Sequence, residues 1–548
     1  MLGILGSAFV SMRAVAAALL VLCTAPLSSQ GQAPAPAYDL VLRGGTLVDG
    51  VARTTTAMDL AIRGDRIAAL GKDLPCAPGT PVLELGGRHV APGFVDLHTH
   101  VDADLVREPL CQNFLRMGVT TLITGNCGSS VSDLAAHFAR LEKGGIGPNY
   151  GSLIGLGTVR TAVLGTENRA PDAAELARMQ QLVEQGMRAG AFGVSTGLIY
   201  VPGTYAQKEE IAALASVAGR FGGRYASHMR YEGDQIQDAL AEVFYIAEHG
   251  KLPVHVSHLK CTGKPNHGRA EEILRTLQAA RARGVPVSAD QYAYDASSTG
   301  LDVLFPSEAL SIGRERFGKQ LREDAAFRAA MHKALLQKMD FVGFGDFRYA
   351  RVASAKGHED CNGLLLPEAA QKLLGRNDRD AQADTAIELF ASAAPQRVTM
   401  VYHTIGEADV ERFLAEDWIA VASDAGIRAE ASIDKPHPRG YGNNPRVLGH
   451  YVRDRGVLDL ATAIHKMSSL PARLFGVQDR GELRVGAFAD LVVFDPATIA
   501  DRATYAAPML PPLGISHVFV NGRLAVHQDA LTGVRAGHVL RHVAKEGR

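Results

Sequence analysis

The sequence predicts an α/β fold: a distorted (β/α)8 TIM barrel, a small discontinuous β-sandwich built from both termini, and a lid insertion between strands 7 and 8. Three observations predict it. Eight short apolar runs alternate with helical periods, the two ends share one β-rich texture, and the gap before the eighth run is too long for a single helix. Eight βα units close a barrel whose site lies at the C-terminal strand ends. An open doubly wound sheet is the competing architecture.

At the N-terminus, residues 14–23 form an apolar run behind Met12 and Arg13, and Pro26, Ser28, Ser29 and Gln30 follow. This reads as an export leader over residues 1–33, with Met1 or Met12 as the start and a periplasmic or secreted product. The run is too short to cross a bilayer of about 30 Å, so no stable membrane span is expected after cleavage. Leu22 before Cys23 is bulky where lipidation needs a small residue. Of the six cysteines, Cys23 leaves with the leader and the five that remain are an odd number, so at least one is free, reactive or metal-bound. The pairing of Cys76, Cys111, Cys261 and Cys361 is left open.

Segments 40–42 and 60–62, each followed by Arg-Gly, read as strands closed by glycine turns, and residues 38–92 are assigned to the sandwich. The same texture returns in 486–495 and 517–522, so residues 481–548 complete it. The barrel takes residues 93–480. Its candidate strands are 93–98, 119–125, 152–156, 192–196, 224–228, 253–258, 285–290 and 419–424. Apolar stripes such as Ile236, Leu240, Val243 and Phe244 mark the helices between them. Residues 299–418 form the insertion.

Composition removes other classes. With 57 Lys plus Arg against 58 Asp plus Glu there is no basic field for a nucleic acid. Gly155-Leu156-Gly157 is followed by Arg160 where a dinucleotide loop needs glycine or alanine. CxxC pairs are absent, so a metal must rely mainly on histidines and carboxylates.

Such residues converge on the strand ends. His98 and His100 alternate onto one face of a strand, about 6 to 7 Å apart at the backbone. Cys127, His228, His258 and Asp424 end the second, fifth, sixth and eighth candidate strands. Two imidazoles and a thiolate suit zinc and leave a position open for water. For Cys127 alone, a small buried hydrophobe is the competing reading.

Pro92-Gly93-Phe94-Val95-Asp96-Leu97-His98-Thr99-His100, SHLK at 257–260, SDA at 423–425 and GAFADLVVFD at 486–495 resemble the metal-dependent amidohydrolase superfamily, over essentially all of the chain after Tyr38. Within it, GNCG at 125–128, STGLIY at 195–200, SHMRYEGD at 227–234 and HPRGYG at 437–442 look like the N-acyl-D-amino-acid deacylases, or D-aminoacylases. Relatives such as hydantoinases and dihydroorotases carry a carboxylated lysine on strand four, and Val194-Ser195-Thr196-Gly197 has none.

The resemblance implies that Cys127, His228 and His258 hold one tight zinc ion, with His98 and His100 at a second, weaker or unoccupied position. Asp424 is then the catalytic carboxylate, taking a proton from water and returning it to the leaving nitrogen of an N-acyl-D-amino acid. Lys260, Arg439, Tyr200, Tyr292 and Ser298 are the candidates for binding this small-molecule substrate, and Arg230 with Glu232 reads as an ion pair behind His228. Ala425 stands where glycine commonly follows the aspartate, and Asn443-Asn444 replaces a Thr-Phe pair before Pro445, which bears on substrate selection. The competing functions are a cyclic amide hydrolase, a dipeptidase and a non-catalytic periplasmic binding barrel. The last would not require Asp424 beside a complete ligand set.

Overall fold

The computed structural model describes residues 36–428 and 432–543; the leader read over residues 1–33 lies outside them. Strands β1 (Leu40–Asp49), β2 (Thr54–Arg63), β3 (Arg66–Gly71), β4 (Val82–Glu84) and β5 (His89–Pro92) come first. Next are β6 (Phe94–Asp96), β7 (Thr99–His100), β8 (Val119–Thr124), β9 (Asn149–Ser152), β10 (Ile154–Gly155), β11 (Gly193–Gly197), β12 (Arg224–His228), β13 (Val254–Val256) and β14 (Val287–Gln291). Strands β15 (Ser297–Gly300), β16 (Ala350–Ser354), β17 (Thr399–Tyr402), β18 (Ile419–Val421) and β19 (Ala425–Gly426) follow, and β20 (Leu491–Phe494), β21 (Ile515–Val520), β22 (Arg523–His527) and β23 (Ala530–Leu531) close the chain.

Both ends build one nine-stranded sheet, in the order β23-β22-β21-β20-β5-β1-β2-β3 with β4 on β1. Its central strand shows why β20 reads as an unbroken apolar run. Val492 and Phe494 enter the main core, while Leu491 and Val493 enter a separate core with Leu42, Leu60 and Phe519. Both faces of that strand are covered, so neither set of alternate side chains is polar. Buried Asp490 pins this sheet to the rest. It pairs with Arg480, its Oδ2 accepts from Asn149 Nδ2 at 3.1 Å, and its carbonyl accepts from the Gly93 N–H at 2.7 Å.

Outside the insertion, the middle of the chain pairs in parallel: β6 with β8, β8 with β9, β10 with β11, then β12, β13, β14 and β18 in succession, and β19 with β7. Amphipathic helices such as Ala173–Ala189 and Ile236–Gly250 bury Met179, Val183, Ile236, Leu240 and Val243 against these strands. Between β14 and β18, an antiparallel sheet β15-β17-β16 packs with four longer helices around its own core of Phe305, Phe317, Leu335, Phe347 and Phe390. Among the described residues no helix is long and apolar enough to cross a membrane.

Several strand boundaries depart from expectation: the sixth strand is only Val254–Val256 and the seventh runs Val287–Gln291, and the first and eighth depart for a shared reason. The first strand breaks at Leu97-His98 and the eighth stops at Val421, because the Asp96 carboxylate takes the His98 N–H (3.2 Å) and the Ser423 N–H (3.1 Å) out of the ladder. The third strand starts at Asn149 and splits at Leu153, whose N–H bonds the Thr124 carbonyl; Leu156 already opens a helix.

Candidate active site

Those interrupted strand ends set the side chains. Cys127, His258 and Asp424 have φ of 51°, 38° and 50°, left-handed conformations that cost about 1 to 2 kcal/mol each for residues with a Cβ. Each therefore leaves its strand direction abruptly and turns inward. Gly128 allows the turn after Cys127, since a Cβ there would lie 2.7 Å from the Gly197 nitrogen.

The turns converge. Cys127 Sγ lies 3.3 Å from His98 Nε2 and 3.6 Å from His258 Nε2, and His258 Nε2 lies 2.9 Å from His228 Nδ1. His100 Nε2 is 2.9 Å and His98 Nε2 3.5 Å from Asp424 Oδ1. Two donor groups result, Cys127-His228-His258 and His98-His100-Cys127-Asp424, each with its ligand atoms within 4.8 Å of one another and with Cys127 in both. Donors held 2.0 to 2.3 Å from a tetrahedral ion stand about 3.3 to 3.6 Å apart, so the spacing fits a metal. The fit is chemical as well. His228 Nε2 is buried without a hydrogen-bond partner, and Cys127 is a free thiol among four imidazoles. Burial opposes the thiolate, yet facing His98, His100, His228 and His258 draw its pKa well below the ordinary thiol range.

Buried carboxylates orient this set. Asp290 Oδ2 lies 3.3 Å from His98 Nδ1 and 2.8 Å from His255 Nε2, while Oδ1 accepts the His258 N–H at 2.8 Å. A carboxylate only accepts, so Asp290 holds a proton on His98 Nδ1 and leaves Nε2, toward Cys127, as the nitrogen that would ligate a metal. Burial would raise the Asp290 pKa, but His98 and His255 hold it well below the carboxylate range. Asp290→Asn is expected to weaken metal binding about 10- to 100-fold, measured by competition with a chelator; unchanged affinity would deny Asp290 this role.

The Arg230–Glu232 pair is not formed. Arg230 pairs with Glu242 at 2.9 Å, which leaves Glu232 to accept from Lys260 Nζ at 2.6 Å and to lie 3.1 Å from His258 Nδ1. Lys260 is thus committed to an internal carboxylate. Arg439, buried over the Tyr292 ring at 4.6 Å, sets Nη1 2.9 Å from Asp424 Oδ2 without an aligned hydrogen bond, and its Nη2 reaches the Ser298 carbonyl at 3.5 Å. The Tyr292 hydroxyl is buried and unpartnered. Tyr200 packs edge-on to His228 at 5.0 Å and accepts from Thr299 Oγ1 at 2.9 Å, whereas the Ser298 hydroxyl donates to the Met400 carbonyl. All five line one cavity of about 1420 Å³ with His100, Cys127, His228, His258 and Asp424. Asp290 and Glu232 are what reasoning from sequence missed or misplaced. Asp290 had a signal: a carboxylate ending an apolar strand beside the one that ends in His258.

The family model for the amidohydrolase family matches residues 82–526. The chain belongs to the amidohydrolase family. This amidohydrolase is 37% identical over 536 residues to a D-aminoacylase of Alcaligenes xylosoxydans xylosoxydans, covering 94% of this chain and 99% of that one. A solved N-acyl-D-glutamate deacylase of Bordetella bronchiseptica, complexed with zinc and a phosphonate mimic of the reaction's tetrahedral intermediate, is 32% identical with a TM-score of 0.78 over 92% of this chain and 100% of that one. A solved D-aminoacylase with a binuclear metal centre, described by one-metal activation and second-metal attenuation, is 34% identical with a TM-score of 0.77 and the same coverage. The amidohydrolase therefore shares the α/β fold of D-aminoacylase structures.

Proposed function

We propose that this amidohydrolase is a zinc-dependent N-acyl-D-amino-acid deacylase, with Cys127, His228 and His258 holding the tighter ion. The observation that carries the reading is the double use of Cys127 beside an Asp424 carboxylate clamped by His100 and Arg439. A bound zinc ion supplies Lewis acidity, polarising an amide carbonyl and lowering the pKa of water from 15.7 to about 7. Asp424 takes the proton of the attacking water and returns it to the amide nitrogen, which leaves as a free amine. Burial alone would keep Asp424 protonated, but Arg439, His98 and His100 hold its pKa well below the carboxylate range, so the base form is present at neutral pH. Arg439 and Tyr292 line the adjoining wall, where the substrate's carboxylate binds.

Eight parallel pairings, spread over the three sheets β6-β8-β9, β10-β11-β12-β13-β14-β18 and β19-β7, support a (β/α)8 barrel over residues 93–480, with 38–92 and 481–548 as its β domain and 299–418 as the lid. With the leader read from 1–33, the enzyme is exported. The test is hydrolysis of N-acetyl-D- and N-acetyl-L-methionine by zinc-loaded protein. Release of D-methionine alone is expected; cleavage of the L-isomer alone, or of neither, would sink the reading.

A further inference from the structure

The cations of the cavity wall are not equally engaged. Arg230 is neutralised by Glu242, Lys260 by Glu232 and Arg439 by Asp424, all within 2.9 Å. In the insertion, two guanidinium groups share one carboxylate. Asp302 lies 2.6 Å from Arg314 Nη2 but 3.8 Å from Arg397 Nε, so the positive charge of Arg397 is left largely uncompensated. Its side chain is 44% exposed and lines the cavity.

This guanidinium is nonetheless positioned. Its Nη2 donates to Thr299 Oγ1 at 3.0 Å, and its carbon lies 5.2 Å from the centre of the Tyr200 ring, which itself packs against His228. Gly300 makes the room, because a Cβ there would stand 2.2 Å from Arg397 Nε. A positioned, half-exposed cation lies one aromatic ring away from His228 of the candidate metal group.

We propose that Arg397 selects the side chain of the substrate, and that the preferred D-amino acid carries a side-chain carboxylate. The inference rests on the deacylase reading above and deepens it. An anion delivered there completes a charge-assisted pair that a neutral side chain cannot, and the D-aminoacylase and N-acyl-D-glutamate deacylase relatives are about equally similar to this chain, so similarity alone does not choose between them.

The experiment compares kcat/KM for N-acetyl-D-glutamate, N-acetyl-D-aspartate and N-acetyl-D-methionine in the zinc-loaded enzyme and in Arg397→Met and Arg397→Lys. The unaltered enzyme is expected to favour one acidic substrate by about tenfold or more. Arg397→Met should lose that factor mainly through KM while its rate on the methionine substrate stays within about twofold, and Arg397→Lys should restore part of it. Preference of the unaltered enzyme for the methionine substrate, or an equal loss on all three in Arg397→Met, overturns the inference and leaves the deacylase reading standing. Failure to cleave any of the three overturns both.

Discussion

Asp424→Asn is expected to fold and retain its metal while losing about 10²- to 10⁴-fold in kcat. Asparagine has the shape of aspartate but cannot hold a proton between its removal from water and its delivery to the leaving nitrogen. At 1.36 kcal/mol per factor of ten, the loss corresponds to about 3 to 5 kcal/mol of barrier. The surroundings argue that this is the charge that matters. Arg439, His98 and His100 all face the carboxylate, and burial there would otherwise favour its neutral form. The sign of the pH dependence follows. With its pKa held below the ordinary value, Asp424 stays ionised as pH falls through the usual carboxylate range, so its protonation does not set the acid limb near neutrality. Turnover measured alongside elemental analysis of the protein decides the matter: an Asn variant with full metal and a near-normal rate would strip Asp424 of its role.

Much of this site was legible as chain chemistry. His98, His100, Cys127, His228, His258 and Asp424 are rare, ligand-bearing residue types at the ends of apolar runs, and such ends face one rim in parallel α/β folds. The strand ends themselves were less legible. Alternation predicts continuous strands through His98 and Asp424, but Asp96 captures the His98 N–H two residues on and the Ser423 N–H 327 residues away, and the second capture leaves no local signal in the eighth strand. For the same reason Glu232 was given the wrong partner. Arg230 is its near neighbour in sequence, whereas Lys260 reaches it only because β12 and β13 lie side by side. Arg397 was invisible because the insertion carries no motif, and its place beside Tyr200 depends on β15 pairing with β17.

Replacing Cys127 with alanine is expected to do more damage than the loss of any single imidazole. Each histidine of the site belongs to one donor group, while Cys127 belongs to both. Cys127→Ala therefore reduces the Cys127-His228-His258 group to two ligands and deprives the His98-His100-Asp424 group of its thiolate. With several kcal/mol of charge stabilisation gone, the rate should fall by on the order of 10³-fold or more. His100→Ala gives the contrast, since it leaves Cys127, His228 and His258 intact and should keep one tightly bound ion. Stability supplies a second readout that needs no turnover. Metal that binds the folded chain at 100 times its dissociation constant adds about 2.7 kcal/mol, so added zinc should raise the melting temperature of the unaltered protein and of His100→Ala but not of Cys127→Ala. Stoichiometric zinc and a zinc-dependent melting shift in Cys127→Ala would mean that the thiolate is not a ligand, and the shared-sulfur reading of both groups would fall with it.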